Sequence, residues 1–421
     1  MLVWIFQTGE PLHLDGEFAR PMRAMNLANS LIDAGDDVVI WSSNFFHQKK
    51  QHRFKKTKFF KYDESLRINL INSTGYKNNI GFKRLFDHGQ LGFNLFIELK
   101  KYKGPLPEKV FIGYPPIEFA FIAAYWCRTN NIPFILDVKD MWPDIYLENI
   151  PKYLKKITKF LLYPYYFLGI WTCKNSSSIS SITKGYLNWV YDFSNLSPSK
   201  QDFVFPLSNI ETVNNGKNKK SNEDKLINNI LKKIDKDTKI ILFSGSFSKS
   251  IDIETLIFTA KKAFKNKKNW IFIYCGDGPY RENVEQNIGN LENTYIPGWV
   301  TSKTIKILSK KNTIGIAPYK NSRFFKLSIS NKVYQYLSLG IPIFTSLKGT
   351  LQNLIKKHNI GINFNQDDKN SLYFSLERYF KESNKLKDQS KNAKKVYIEF
   401  FEGKTVYKKA VKNLKELTLT R

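Results

Sequence analysis

The stretch MLVWIFQTGEPLHLDGEFARPMRAMNLANSLIDAGDDVVIW, residues 1–41, decides the fold class. Its apolar start, Leu2–Phe6, is typical of a buried strand, and a glycine-containing loop at 9–16 follows. Apolar residues then recur at helical spacing within Phe18–Ala34, Gly35 ends the helix, and Val38–Trp41 is the next strand. A strand–helix–strand unit of this length predicts a parallel sheet with a right-handed crossover.

The same order of elements recurs along the chain. In the first half, apolar strands at Val110–Ile112 and Phe134–Val138 flank a helical pattern at Pro116–Arg128, and Ser178–Ile182 is a further strand. In the second half, the predicted elements are strands at Lys239–Phe243, Trp270–Tyr274, Ile314–Ala317 and Ile341–Thr345, and helices at Ile253–Phe264 and Asn331–Leu339. The chain is therefore predicted to be α/β, with two facing Rossmann-like domains, each a mostly parallel sheet with helices on both faces.

Chain length and local composition predict the domain boundaries. A single hydrophobic core rarely exceeds roughly 250–300 residues, so 421 residues favour two domains. Residues 211–238 are polar and rich in lysine and asparagine, which is typical of a linker. We predict an N-terminal domain at 1–205, a linker and polar excursion at 206–238, a C-terminal domain at 239–400, and a C-terminal helix at 401–421 that packs back on the N-terminal domain.

Cysteine and histidine are too few and too scattered to form a disulfide scaffold or a metal centre. The chain has 3 cysteines and 5 histidines, and none of them share metal-ligand spacing. Asp235-Lys236-Asp237 has the letters of a DxD metal motif, but it lies in the lysine-rich excursion, where a surface turn is the better interpretation. We predict no metal site and a reducing, cytoplasmic compartment.

The charge balance indicates an attraction to phosphate in some form. Lys and Arg number 66 against 37 Asp and Glu, which gives a net charge of +29. Nucleic acid, an anionic membrane and a nucleotide-bearing substrate all fit such an excess, and a compositional bias toward lysine fits it equally. The basic runs at Lys49–Lys61 and Lys217–Lys239 lack the stacked aromatics and arginines of a base reader, so we predict no nucleic-acid partner.

The longest apolar stretch is too short to span a membrane. It is FLLYPYYFLGIWTC, Phe160–Cys173, whereas a span needs about 20 residues. Lysines precede it at 152, 155, 156 and 159 and end it at 174. A basic-flanked aromatic segment suits an anionic membrane surface, and an ordinary buried helix is the alternative. The N-terminus has no basic start and no small-residue cleavage site, so we expect no signal peptide.

The window FFKLSISNKVYQYLSLGIPIFTS, residues 324–346, carries the first candidate site. Ser330 is a good N-cap for a helix that begins at Asn331, and such a helix start presents backbone N–H groups. Lys332 lies in the first turn, where the helix dipole disfavours a cation unless an anion is bound there. Gln335 lies on the same face one turn later, at a position suited to ribose hydroxyls. A surface lysine and glutamine on an amphipathic helix is the alternative.

Two further loops follow predicted strands. Gly245 ends a strand and opens the loop Ser246–Ser250, whose glycine, hydroxyls and Lys249 suit a diphosphate. In the first half, Asp137-Val138-Lys139-Asp140 closes a strand, where a carboxylate suits a base or the stabilisation of positive charge on a sugar ring. The alternative for that carboxylate is a helix cap or an ion pair with Lys139.

These windows together resemble the family 4 glycosyltransferases of the two-Rossmann (GT-B) type, near the bacterial members that build surface polysaccharides such as O-antigen, capsule and lipopolysaccharide. The resemblance spans almost the whole chain, because the motifs occur in the family's order and spacing. In the second half they are FSGSFSKSIDIETL (243–256), YCGDGP (274–279), PGWV (297–300), GIAPY (315–319) and SNKVYQYLSLGIPI (330–343). In the first half they are MNLANSLIDAGDDVVIW (25–41), GYPPIEFAFIAAY (113–125) and IPFILDVKDMWPD (132–144).

The resemblance implies an enzyme that moves a sugar from a nucleotide-diphosphate donor, expected to be a UDP-sugar, to an acceptor hydroxyl. It implies no metal or other cofactor, the nucleotide-sugar being a co-substrate, and retention of the donor's configuration. The N-terminal domain would bind the acceptor and the C-terminal domain the donor. The residues assigned to the donor are Gly16, Gly245, Ser246, Lys249, Gly298, Val300, Ser330, Asn331, Lys332 and Gln335, and those assigned to catalysis are Asp140 and Lys139.

The chain departs from the family at three positions. Where the family has two glutamates eight residues apart, this chain has Leu327 and Gln335, and where many members have a histidine it has Lys139. A nucleotide-sugar 2-epimerase-like isomerase on the same fold and a catalytically degenerate binding partner therefore remain alternatives. For the transferase, we expect a lipid-linked saccharide acceptor and a place in the cytoplasm, peripheral on the inner face of the membrane.

Overall fold

The protein folds into two α/β units. A computed structural model describes residues 1–16, 21–78, 81–148, 150–208, 210, 227, 229–310, 312–382 and 384–420. The first unit comprises Met1–Glu211 together with Gly403–Arg421, and the second comprises Thr212–Glu402. The α/β class and the mostly parallel sheets agree with the fold class predicted from the sequence.

The first unit is built on a sheet of eight strands in the order β10-β9-β8-β7-β1-β2-β6-β5. All neighbours pair in parallel except β5, which is antiparallel to β6. The central strands are apolar and buried, as parallel strands covered on both faces must be. The strands are β1 (Leu2–Phe6), β2 (Asp37–Ser43), β5 (Lys58–Lys61), β6 (Leu66–Ile71), β7 (Lys109–Tyr114), β8 (Phe134–Val138), β9 (Ser178–Ser181) and β10 (Phe203–Val204), and a separate two-stranded ribbon joins β3 (Phe45–Phe46) to β4 (Gln51–His52).

Helices connect these strands. They are α1 (Arg23–Ile32), α2 (Phe82–Lys101), α3 (Ile117–Thr129), α4 (Lys155–Leu161), α5 (Tyr163–Asn175) and α6 (Lys184–Ser194). The apolar stretch Phe160–Cys173 is thus divided between α4 and α5 rather than forming one buried helix, because Pro164 occupies the start of a new helix.

The second unit has a six-stranded sheet in the order β13-β12-β11-β14-β15-β16, and all of its strand pairs are parallel. The strands are β11 (Lys239–Ser244), β12 (Trp270–Cys275), β13 (Thr294–Gly298), β14 (Asn312–Ala317), β15 (Ile343–Thr345) and β16 (Gly361–Asn363). The helices are α7 (Ile253–Lys265), α8 (Arg281–Ile288), α9 (Ser302–Ser309), α10 (Arg323–Leu327), α11 (Asn331–Ser338), α12 (Thr350–His358), α13 (Ser371–Lys381) and α14 (Lys385–Phe400).

The last helix of the chain, α15 (Gly403–Lys415), belongs to the first unit. It packs against α1, and Tyr407 and Leu414 are buried in the core that β1, β2 and α1 share. Spacing of apolar residues at helical intervals gives α15 one buried face, and the first unit provides the surface that covers it.

The C-terminal part of the predicted polar excursion is structured. Residues 209, 211–226 and 228 of that excursion lie outside the described residues. Ile227, Ile230 and Ile234 are buried within the second unit, so the linker at 206–238 extends too far toward the C-terminus. The physical reason is that these isoleucines, three and four residues apart, form one apolar face among lysines and asparagines.

Candidate functional site

The second unit buries a cation at the start of α11. Ser330 precedes this helix in an extended conformation, as an N-cap residue does, but its side chain accepts no capping hydrogen bond. The Lys332 ammonium lies 3.9 Å from the centre of the Phe243 ring and 4.7 Å from that of Tyr319. It has no hydrogen-bond acceptor among the described residues. Burial lowers the pKa of Lys332 to about 7, because nothing compensates the lost hydration of the charge.

Gly245 provides the space that Lys332 fills. It follows β11 with a φ of +144°, and a Cβ added there would lie 3.0 Å from Lys332 Nζ. Gly276, after β12, is packed even more closely, since its Cβ would lie 1.8 Å from the carbonyl oxygen of Gly245. The Gly276 N–H donates to the carbonyl of Gly298 over 2.7 Å. The ends of β11, β12 and β13 thus meet beside the ammonium.

Tyr336 fixes α11 against the neighbouring strand. Its hydroxyl oxygen accepts from the Ser244 N–H at 2.9 Å and its O–H donates to the Leu242 carbonyl at 3.3 Å. Because Tyr336 lies four residues after Lys332 on the same helix, this anchor determines the distance between Lys332 and Gly245. The sequence showed only an aromatic at a helical position, so the anchor was missed.

The other residues predicted to bind the donor lie around Lys332 and Gly245. Ser246 and Lys249 have exposed side chains in the turn after Gly245, and Asn331 is exposed at the helix start. Gln335 and Val300 are half-buried, and Leu327, at the end of α10, is half-buried as well. The structure thus brings together Gly245, Gly298 and Lys332, with Ser330 at the same helix start. A buried cation beside a glycine turn and a helix start can hold an anion such as a phosphate.

In the first unit, the strand end after β8 contains two different ion pairs. Asp137 is fully buried and pairs with Arg23 through two hydrogen bonds of 2.6 and 2.7 Å, and it also accepts from Ser180. Lys139 pairs with Glu10, its Nζ lying 2.7 Å from Glu10 Oε1. Asp137 therefore holds the fold together and makes no pair with Lys139.

Asp140 is the half-buried carboxylate of this strand end. Burial raises its pKa to about 6, while the charges of Lys139 and Arg84 oppose the rise. Its Oδ1 accepts from the backbone N–H of Met141 at 3.2 Å. A carboxyl group with this pKa is mostly ionised at pH 7, and it can accept a proton or hydrogen-bond a hydroxyl.

The opening loop approaches the same strand end through Glu10. The second carboxylate oxygen of Glu10 accepts from the Ala24 N–H at 2.9 Å, which links the loop to α1 and to Lys139. Gly16 is exposed at the end of the described part of this loop, and Asp15 beside it is held by two hydrogen bonds of 2.7 Å from Arg53.

The residues that the structure describes contain neither a cluster suited to a metal ion nor a helix suited to span a membrane. No group of three or more His, Cys, Asp or Glu side chains there is placed to hold a metal ion. Asp235 closes a turn instead, since its carboxylate accepts from the N–H and the hydroxyl of Thr238. Over the same described ranges, no helix has the length and apolar character to cross a bilayer.

Comparisons with known proteins give a family match in the second unit and structures of similar fold. Residues 227–396 match the family described as "Glycosyl transferases group 1". No curated protein sequence gives a significant match to the chain.

Solved structures of similar fold cover nearly the whole chain. Sucrose-phosphate synthase from Thermosynechococcus elongatus has a TM-score of 0.69 at 13% identity, over 99% of this chain and 98% of that one. HepE from Anabaena, in complex with UDP-glucose, has a TM-score of 0.62 at 12% identity, over 99% and 100%. WaaG, a glycosyltransferase involved in lipopolysaccharide biosynthesis, has a TM-score of 0.59 at 11% identity, over 98% and 99%. At such identities the likeness establishes the two-domain fold.

Proposed function

We propose that this chain, whose residues 227–396 match the family described as "Glycosyl transferases group 1", transfers a sugar from a UDP-sugar to a lipid-linked saccharide. The observation that carries the donor side is the buried Lys332 ammonium, which lies against Gly245 at the start of α11. A UDP-sugar is favoured over other donors because HepE, which shares the fold, has been solved with UDP-glucose.

We assign the donor diphosphate to the Lys332 ammonium and the backbone N–H groups at the start of α11. The bond between the sugar's anomeric carbon and the β-phosphate oxygen breaks, and its electron pair leaves with the UDP. The acceptor hydroxyl oxygen bonds to the anomeric carbon, and its proton passes to the departing phosphate oxygen, which is compatible with retention of configuration. Lys332 then stabilises the charge that develops on the leaving diphosphate, in the role that a metal ion has in other enzymes.

Ser330, Asn331 and Gln335 complete the donor side in this proposal, with the loop at 245–249 beside the phosphates and Gly298 to Val300 beside the base. Gln335 provides hydrogen bonds to ribose without a charge. In the first unit we assign Asp140 and Lys139 to catalysis and Gly16 to the reacting sugar of the donor.

The proposal places the enzyme on the inner face of a membrane. A basic-aromatic segment, residues 152–167, supports this placement, because most of its aromatic side chains are exposed, although Tyr166 is buried. Tyr153 is 78% exposed and Phe160 is 79% exposed, and Lys152, Lys156 and Lys159 are exposed among them. Aromatic rings beside lysines suit the headgroup region of an anionic bilayer. A lipid-linked acceptor would be reached from such a surface.

The test is a thermal-shift panel of UDP-, GDP-, ADP- and TDP-sugars with and without EDTA, followed by an assay for nucleoside diphosphate release. We expect the UDP series to stabilise the protein regardless of EDTA, by about 2.7 kcal/mol at 100 times the dissociation constant. Lys332→Met should abolish the shift. If no series stabilises the wild type, the donor proposal is wrong. Binding without any turnover would instead favour a degenerate binding partner.

A further inference from the structure

A cluster of basic and aromatic side chains in the first unit has no role in the function so far. We call it the Tyr76 cluster, and its members are His47, Lys50, Tyr76, Arg84 and His88. His47 and Lys50 lie in the ribbon turn between β3 and β4, Tyr76 lies in the segment after β6, and Arg84 and His88 lie in the first half of α2. The cluster therefore combines three separate parts of the chain.

The position of α2 places this cluster beyond the carboxyl end of the sheet. A Cβ added at Gly92 would lie 3.1–3.2 Å from atoms of Glu118, so the middle of α2 is level with the start of α3. The turns of α2 before Gly92 therefore extend past the end of β7, by about 15 Å at 1.5 Å per residue. Ligands of parallel α/β sheets bind at this end.

The cluster is held together by contacts to the Tyr76 ring and hydroxyl. His47 Nδ1 lies 2.7 Å from the Tyr76 hydroxyl and 3.1 Å from Lys50 Nζ. Lys50 Nζ lies 4.6 Å from the centre of the Tyr76 ring, and the Arg84 guanidinium lies 5.6 Å from it. The same guanidinium lies 5.0 Å from the Trp142 ring. Two cations thus share one aromatic ring, and both side chains are half-buried, so they reach solvent.

The electrostatics indicate a positive potential at the cluster. Burial, together with the charges of Lys50 and Arg84, lowers the pKa of His47 to about 4. Burial and the charges of Arg84 and His47 lower the pKa of His88 to about 3. Both imidazoles are therefore neutral at pH 7. Burial also lowers the pKa of Lys50, and the charge of Arg84 lowers it further.

Three neighbouring carboxyl groups, Asp87, Glu118 and Asp140, oppose this positive charge, and Asp140 is mostly ionised at pH 7. Asp87 is buried and accepts from the backbone N–H of Gly75 at 2.6 Å. Burial raises the pKa of Glu118 to about 7, so this group is only partly ionised at neutral pH. A bound dianion would offset the repulsion between Lys50 and Arg84, since charge-assisted hydrogen bonds to phosphate are among the strongest available.

We propose that the Tyr76 cluster binds a phosphate group of the acceptor, with Arg84 and Lys50 as its cationic ligands. Arg84 supplies a planar fork that matches phosphate oxygens, Lys50 supplies a point charge, and the neutral Tyr76 and His47 can add hydrogen bonds. This inference rests on the proposed function, because it names a chemical feature of the acceptor. It restricts the acceptor to a phosphorylated molecule, either a lipid diphosphate or a soluble sugar phosphate.

Direct binding of three probes tests the inference by isothermal titration calorimetry on the full chain. The probes are farnesyl diphosphate, glucose 6-phosphate and farnesol. We expect Arg84→Gln and Lys50→Gln each to weaken binding of the phosphorylated probe about 10- to 100-fold. Arg84→Lys should retain more affinity than Arg84→Gln. Lys83→Gln is the matched control, because it removes one exposed positive charge next to Arg84, and it should change affinity less than about threefold.

The probes also distinguish the two sources of phosphate. Binding of farnesyl diphosphate alone identifies a lipid-linked acceptor, and binding of glucose 6-phosphate alone identifies a soluble one. Equal losses in Arg84→Gln and Lys83→Gln, equal affinity for farnesol and farnesyl diphosphate, or no binding of either phosphorylated probe would overturn the inference. UDP binding is measured on the same variants. A wild type that binds a phosphorylated probe but not UDP would refute the proposed donor and leave the phosphate site standing.

Discussion

At the residue scale, Lys332 combines a cost in stability with its proposed role in donor binding. Its pKa of about 7 in place of 10.5 means that the folded protein disfavours the charged form. Lysine is charged in the unfolded state up to about pH 10, so the cost is complete below pH 7 and falls as the pH rises from 7 toward 10. A phosphate bound beside the ammonium would reverse the preference, because an opposite charge favours the charged form.

The first prediction concerns stability. Lys332→Met should raise the free energy of unfolding of the ligand-free protein by about 1–3 kcal/mol at pH 6, because it removes a buried charge without a hydrogen-bond partner. The gain should shrink at pH 9, and the variant should lose UDP-dependent stabilisation. Urea unfolding at both pH values measures the effect. If the variant is less stable than the wild type at pH 6, another group must stabilise the buried charge of Lys332, and the prediction is wrong.

A second prediction at this scale concerns the pH dependence of donor binding. Below pH 7 Lys332 is already charged, whereas above pH 7 binding must take up a proton. The affinity for UDP should therefore fall by up to about tenfold per pH unit above pH 7. Calorimetry at about pH 7 and about pH 8.5 measures the slope. Lys332→Met should bind weakly with no such slope, and a wild type with no slope would exclude Lys332 from the phosphate site.

At the element scale, the proposed donor site depends on how closely the turns after β11 and β12 approach each other. Gly276→Ala would place a Cβ 1.8 Å from the Gly245 carbonyl oxygen, so the two turns must separate. We expect the variant to fold, with a Tm lowered by several degrees, and to lose UDP binding. Gly289→Ala is the matched control, since Gly289 has a φ of +56° but no atom within 4 Å of an added Cβ. Equal UDP affinity in the two variants would contradict the prediction.

The basic-aromatic segment is tested as an element by flotation with anionic liposomes. One variant combines Phe160→Ser, Ile157→Ser and Lys152→Gln. It should no longer float with the liposomes at low salt, because the membrane contact loses apolar area and charge. Phe374→Ser is the control, since Phe374 is exposed in the second unit. Flotation of the wild type should weaken as salt rises. A wild type that stays at the bottom at low salt would exclude this surface.

At the scale of the whole molecule, the end of the chain completes the first unit. Leu414 is fully buried in the core shared with α1, although it lies near the C-terminus. Leu414→Ala should lower the free energy of unfolding of the first unit by about 2–5 kcal/mol. Tryptophan fluorescence measures this transition, because six of the 8 tryptophans lie in the first unit. Leu419→Ala, at a side chain 37% exposed, should cost much less, and equal losses would contradict the packing of α15.

Hydrophobic periodicity alone determined the α/β class, the two mostly parallel sheets and the helix that begins at Asn331, because strand and helix periods are local properties of the chain. The order of motifs indicated a glycosyltransferase and drew attention to Lys332 and Gly245. Only the tertiary structure decided which charges are used for the fold and which are available to a ligand. Asp137 and Asp140 are three residues apart, yet Asp137 is buried in an ion pair with Arg23, whereas Asp140 is half-buried near Arg84. The Tyr76 cluster was not visible in the sequence, because its members come from three separate segments, and burial and distance are properties of packing rather than of residue order.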